Sequence, residues 1–224
     1  MKKHFLIVAA VATSSASMPA LAQEQTSQVS VGVTGGSLGI GPEAAIRVSP
    51  VLGLRANATF LGVSHSVDSD DITYDGRLKL GSLGLMADLH PFSGGFRVSA
   101  GFRINSNKVN LKANTSQDNT VEVGDTEYSG AAVGTLSGQV KTKKFAPTLT
   151  VGYAGGLTKG LKFGVEAGAM FQGSPRINNL RASGPISSDP DFRAALAREE
   201  QEIEDDIDKY KVYPILQFSL RYAF

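Results

Sequence analysis

The chain has 224 residues, with 22 basic and 21 acidic side chains, 25 glycines and no cysteine. A near-neutral charge gives no electrostatic footing for nucleic acid, and the lack of cysteine excludes disulfides and thiolate metal sites. Past the start of the chain no run of about 18 apolar residues occurs, so the sequence offers no membrane-spanning helix.

Residues 1–22 read as an export signal. Lys2 and Lys3 form a positive start, FLIVAAVA at 5–12 is a short apolar stretch, and Ala20-Leu21-Ala22 fits a small-residue cleavage site. The mature chain is then expected to run over 23–224, with 20 basic and 21 acidic residues.

From there apolar residues recur at a period of two, the signature of strands with one apolar face. Val29, Val31 and Val33 share a face before Gly35-Gly36; Pro42, Ala44, Ile46 and Val48 share one after it. A Ser49-Pro50 turn leads to a third strand with Leu52, Leu54, Ala56, Ala58 and Phe60 on one face. Residues 64–76 are polar and acidic and read as a solvent loop. The fourth strand carries Leu83, Leu85, Ala87 and Leu89; Leu78 and Leu80 are out of phase with them, which predicts a bulge near Gly81. After a turn at 90–95, the fifth strand aligns Phe96, Val98, Ala100, Phe102 and Ile104. Residues 106–144 form a long polar segment, in which 121–123 and 133–140 are able to build a hairpin above a membrane. The sixth strand aligns Phe145, Pro147, Leu149, Val151 and Tyr153. The seventh aligns Leu161, Phe163, Val165, Ala167, Ala169 and Phe171, and the last aligns Pro214, Leu216, Phe218, Leu220, Tyr222 and Phe224.

Eight strands, joined alternately by short and long connections, predict an all-β fold: an eight-stranded antiparallel up-and-down transmembrane barrel. Phe60, Phe145 and Phe171 fall at the ends joined by long loops; Phe96, Tyr153, Phe163, Tyr222 and Phe224 fall at the ends joined by short turns. Two such tiers match interface girdles. A soluble sandwich or lipocalin-like barrel has the same alternation, but the export signal, the terminal Phe and the loop asymmetry favour the bacterial outer membrane.

The pattern resembles the small outer-membrane barrels of the OmpA/OmpX-like and OmpW-like group over the whole mature chain. LMADLHPFSGGFRVSAGFR (85–103), AGAMFQGSPR (167–176) and YPILQFSLRYAF (213–224) also resemble segments of uncharacterised proteobacterial barrel proteins. The terminal Tyr222 and Phe224 resemble the signal read by the barrel-assembly machinery, which implies that partner during biogenesis. Outer-membrane lipid and lipopolysaccharide are the surrounding partners that the resemblance implies.

Inward positions carry Glu43, Arg47, Arg55, Asp88, Arg97, Arg103, Lys162, Glu166 and Arg221, six basic and three acidic. An eight-stranded barrel is only just wide enough for its own side chains, so these charges must pair or meet water. One reading is an ion-pair network that fills the lumen; another is a cationic constriction in a narrow channel, with inward glycines leaving room for water. Residues 189–210 predict a helix in the last outer loop, with Asp189 as N-cap, Pro190 at the first position and a broken apolar stripe of Phe192, Leu196, Ile203, Ile207 and Tyr210. Its acidic residues Glu199, Glu200, Glu202, Glu204, Asp205, Asp206 and Asp208 suggest a lid over a net-positive lumen, or a divalent-cation bridge to lipopolysaccharide phosphates. Asp68, Asp70 and Asp71 lack a full cation-loop signature. His65 beside Ser64 and Ser66, at an outer strand end, is the minimum for acyl transfer and gives a lipid A-modifying barrel enzyme as a further alternative, but neighbours on a strand point to opposite faces. No enzyme, cofactor or resident metal is expected.

Overall fold

The computed structural model describes residues 28–69, 72–115, 120–155 and 159–224, and of 67–69 and 72–74 the backbone alone. The export signal and most of the Asp68–Asp71 cluster lie outside the described side chains. In chain order the strands are β1 (Gln28–Gly36), β2 (Gly39–Arg47), β3 (Leu52–Ser69), β4 (Ile72–Leu89), β5 (Phe96–Asn105), β6 (Lys108–Thr115), β7 (Thr120–Val123), β8 (Thr126–Ser129), β9 (Thr135–Lys141), β10 (Phe145–Ala154), β11 (Gly160–Phe171), β12 (Arg176–Ala182) and β13 (Val212–Ala223). Two helices, α1 (Gly130–Val133) and α2 (Pro190–Ile207), lie in the long connections.

Eight strands close on themselves in the order β1-β2-β3-β4-β5-β10-β11-β13, each antiparallel to its neighbours. Closure leaves no backbone edge unpaired where water is absent. These are the eight strands predicted, with the predicted faces. Phe60 and Phe163 are 61% and 69% exposed on the outside, whereas inward Arg55 is 1% exposed. The first reversal differs from expectation: Gly35 and Gly36 stay paired within β1, and the chain turns at Ser37-Leu38, entering β2 at Gly39 with φ +97°.

Residues 64–69 and 72–76 are strand, not loop. β3 and β4 pair without interruption from Leu52↔Leu89 to Ser69↔Ile72, so the hairpin continues far beyond the barrel. Nor is there a bulge at Gly81. The same register holds on both sides of it, and Leu80 faces the barrel axis as Ser82 does. What changes at Gly81 is the face that carries the apolar residues. Below it the outer face is apolar; above it the outer face is polar, and the apolar residues turn inward.

Above this level β4 exchanges its partner β5 for β6, and a sheet of order β3-β4-β6-β9-β12 rises from one side of the barrel. Its inner face carries Leu78, Val109, Leu111, Val140 and Ile177. The β7–β8 hairpin and α2 pack beside it through a small core of Val123, Val133, Phe192 and Ala195. Asp189 caps α2, accepting from the backbone N–H groups of Asp191 and Phe192 at 2.9 and 3.0 Å. Glu199, which breaks the apolar stripe, accepts from Gly124 N–H at 3.0 Å, and Arg198 donates to Gly124 O at 3.3 Å. The interruption thus grips the β7–β8 turn.

Candidate functional site: the lumen

Every second residue of the barrel strands points to the axis, so the lumen is built rung by rung. At mid-height Arg55 on β3 is the centre. Its Nε and Nη2 lie 3.0 and 3.2 Å from the two Asp88 oxygens, a bidentate pair. Nη2 is also 2.7 Å from Glu166 Oε2, and Nη1 is 3.3 Å from Glu43 Oε2. One guanidinium therefore meets three carboxylates from β2, β4 and β11, with its side chain wholly buried. Arg97 completes the layer, 3.0 Å from Glu166 Oε2 and 4.0 Å from Asp88 Oδ2.

One layer nearer the outside, Arg103 has neutral partners. Its Nε donates to Ser82 Oγ at 3.0 Å and its Nη2 to Asn57 Oδ1 at 2.6 Å. Asn57 in turn donates to Glu43 Oε2 at 3.3 Å, which ties the layers together. Gly84 makes this possible, because a Cβ there would stand 2.8 Å from both Arg103 Nη1 and Asn57 Oδ1. The inward glycine accommodates an arginine at this level. Above these, Leu38, Ala146, Met170 and Ile215 form a buried apolar tier flanked by Tyr213. Tyr213 Oη donates to Ser37 O at 2.5 Å, fixing the turn that inserts Leu38.

The end joined by the short turns is looser. Arg221 Nε lies 3.4 Å from Glu43 Oε1, an ion pair whose alignment falls short of a hydrogen bond. Arg47 Nη2 donates to Gly94 O at 2.8 Å. Arg47, Arg97, Arg221, Lys162 and His90 line a vestibule of about 40 Å³. In and beside the mid-height layer, Glu43 Oε1, Arg97 Nε, Gln217 Oε1 and Ser219 Oγ are buried with no hydrogen-bond partner among the described residues, which calls for water along the lumen.

Seven of the nine predicted lumen charges are buried: Glu43, Arg55, Asp88, Arg97, Arg103, Glu166 and Arg221. Arg47 and Lys162 stand half-buried at the periplasmic mouth. The predicted set lacked Asn57, Ser82 and Ser99, neutral links whose inward parity was visible, and Leu38, whose turn position gave no such signal. Tyr222 and Phe224 sit exposed at the periplasmic end with rings 5.1 Å apart.

Of the acidic helix residues, Glu204 holds Arg176 and the Ile177 N–H, and Asp208 pairs with Lys211 at 2.6 Å. Glu202, Asp205 and Asp206 face solvent, and Glu200 is half-exposed. Outside the span, Asp208 is held below the ordinary carboxylate range, first by hydrogen bonds from Lys211 and Ser174. Arg176 is raised by its bond to Glu204. His65 points to the inner face of the extension. Ser64 and Ser66 point to the other face, where Ser64 Oγ accepts from Arg77 at 3.1 Å and Ser66 Oγ donates to Asp75 at 2.5 Å.

A closed eight-stranded antiparallel barrel with a polar interior and an apolar outer belt is the fold of the outer-membrane barrel proteins. No family model matches the chain and no curated protein matches it. Among solved structures it is similar to CarO2 of Acinetobacter baumannii, at 24% identity over 88% of this chain and 98% of that one, with a TM-score of 0.59. It is also similar to CarO of Acinetobacter baumannii, at 22% identity over 88% and 97%, with a TM-score of 0.54. At these identities the likeness is one of fold.

Proposed function

We propose that the chain is an integral outer-membrane protein of a Gram-negative envelope with a shut lumen, acting through its outer sheet and helix and not by passing solutes or performing chemistry. The membrane reading is supported by the apolar belt, the two aromatic tiers and the export signal expected at residues 1–22.

The observation that carries the shut lumen is Arg55, bound to Glu43, Asp88 and Glu166 with no side-chain surface left. Opening a path means parting one of these charges from its partners, which costs about 3–5 kcal/mol when a buried pair is broken. At 1.4 kcal/mol per factor of ten, fewer than about one molecule in a hundred is open. The apolar tier of Leu38, Ala146, Met170 and Ile215 adds a second barrier above it.

Planar-bilayer recording of the refolded mature chain tests this. Wild type should give a flat baseline, and a variant with Arg55, Glu43 and Asp88 all changed to Ala should give discrete steps. Steps of equal size in both would overturn the shut lumen. The second reading is a narrow channel gated by the acidic helix, and the partnerless polar atoms along the lumen favour it. On that reading, deleting 191–208 raises the conductance of the wild-type barrel.

A further inference from the structure

The outer face of the extension carries a feature that the shut-lumen reading leaves unused. Lys79 on β4 is the register partner of Lys108 on β6. Lys108 is the partner of Lys141 on β9, and Lys141 is the partner of Arg176 on β12. Four cations therefore stand in one row across four adjacent strands, spanning about 14 Å at ordinary strand spacing. Like charges directly opposite each other repel and destabilise a sheet.

The chain compensates only one end of the row. Glu204 binds Arg176. Lys79, Lys108 and Lys141 have no carboxylate partner among the described residues. The nearest acidic residue on this face, Asp75, lies two rungs further out, opposite Lys112, and already accepts from Ser66 and Asn114. Among the described residues nothing balances the three lysines, which leaves them open to an external anion.

The position of the row says what supplies it. Lys79 shares the parity of Leu83 and Leu85, so the row continues the lipid-facing surface upward. It lies four residues beyond Leu83, about 13 Å along the strand, or roughly 10 Å along the membrane normal at the usual barrel tilt. That is the headgroup layer, within the reach of a snorkelling lysine. We infer that Lys79, Lys108 and Lys141 form a binding site for the phosphate groups of an anionic outer-leaflet glycolipid. The inference rests on the outer-membrane reading. It goes beyond that reading by assigning one wall of the protein a lipid headgroup as its ligand.

The test uses the refolded full chain in phosphatidylcholine nanodiscs with a chelator present, titrated with labelled bis-phosphorylated lipid A or with the same lipid stripped of its phosphates. Wild type should bind the phosphorylated lipid at least ten-fold more tightly, with an affinity that falls as salt rises. Lys79→Gln, Lys108→Gln and Lys141→Gln together should remove that preference and flatten the salt dependence; the corresponding Arg exchanges should keep both. Should the triple variant fail to refold, each single exchange should still lower affinity several-fold. Equal binding of the two lipids by wild type, or unchanged binding by the variants, overturns the site while leaving the barrel reading intact. A chain that does not enter nanodiscs at all overturns the membrane reading itself.

Discussion

Leu61 and Leu80 are direct register partners across β3 and β4, one rung beyond Phe60 and Gly81, and both turn toward the barrel axis. Phe60 still points outward, 61% exposed. One rung therefore separates the part of the hairpin that keeps its apolar residues outside from the part that keeps them inside. On the membrane reading proposed above, lipid and water reward opposite faces of the same unbroken sheet, and this rung is where the one should replace the other.

That boundary predicts position-dependent costs. Leu85→Arg, on the outer face within the belt, should destabilise the barrel by about 2–4 kcal/mol. Val63→Asn, on the exposed inner face of the extension, should cost within about 0.5 kcal/mol. Urea unfolding in lipid vesicles measures both, and equal losses would place the boundary elsewhere.

The lumen arginines should differ by the company they keep. Arg55→Met abandons Glu43, Asp88 and Glu166 together and should cost about 3–5 kcal/mol. Arg103→Met leaves only Ser82 and Asn57 without a donor and should cost about 1–3 kcal/mol. A larger loss at Arg103, read from unfolding midpoints in vesicles, would contradict the arrangement of partners.

Gly124 holds the outer helix in place through close contact. Its φ is +53°, and a Cβ there would come within 2.3 Å of Ala195 O. Gly124→Ala should therefore speed amide exchange along α2 and the β7–β8 hairpin by at least ten-fold. Exchange in the barrel strands should not change. Protection retained in α2 would mean that the turn does not dock the helix.

Acid should loosen the end of α2. The Asp208 carboxyl is held below its ordinary value by hydrogen bonds from Lys211 and Ser174, so its contribution is present above the unfolded value, near pH 4. It is lost as pH falls through the lowered folded value. Amide exchange at residues 205–211 should rise below about pH 4, and less steeply at high salt, because the pair is exposed. A profile flat to pH 2 would remove the pair from any role in stability.

The barrel was legible because a strand between lipid and lumen must alternate, and from Leu52 to Phe60 or Leu161 to Ala169 the sequence does so without exception. The parity that put Arg55, Asp88 and Glu166 inside also made them candidates to pair. Their convergence on one guanidinium depends on the stagger between strands distant in sequence, which alternation does not encode. The extension was misread for the converse reason. Leu78 and Leu80 obey the same alternation in the opposite environment, and a polar outward face at 64–76 looks like a loop when lipid is assumed. The row of Lys79, Lys108 and Lys141 needs two registers at once, across connections whose length hides the pairing.

The unequal walls of the barrel decide what an approaching particle meets. On one side the chain reverses in the two residues Ser37 and Leu38. On the other β3 runs nine residues past Phe60, about 30 Å along its axis. A large particle approaching this end of the barrel would therefore touch the tall hairpin before the low doorstep opposite.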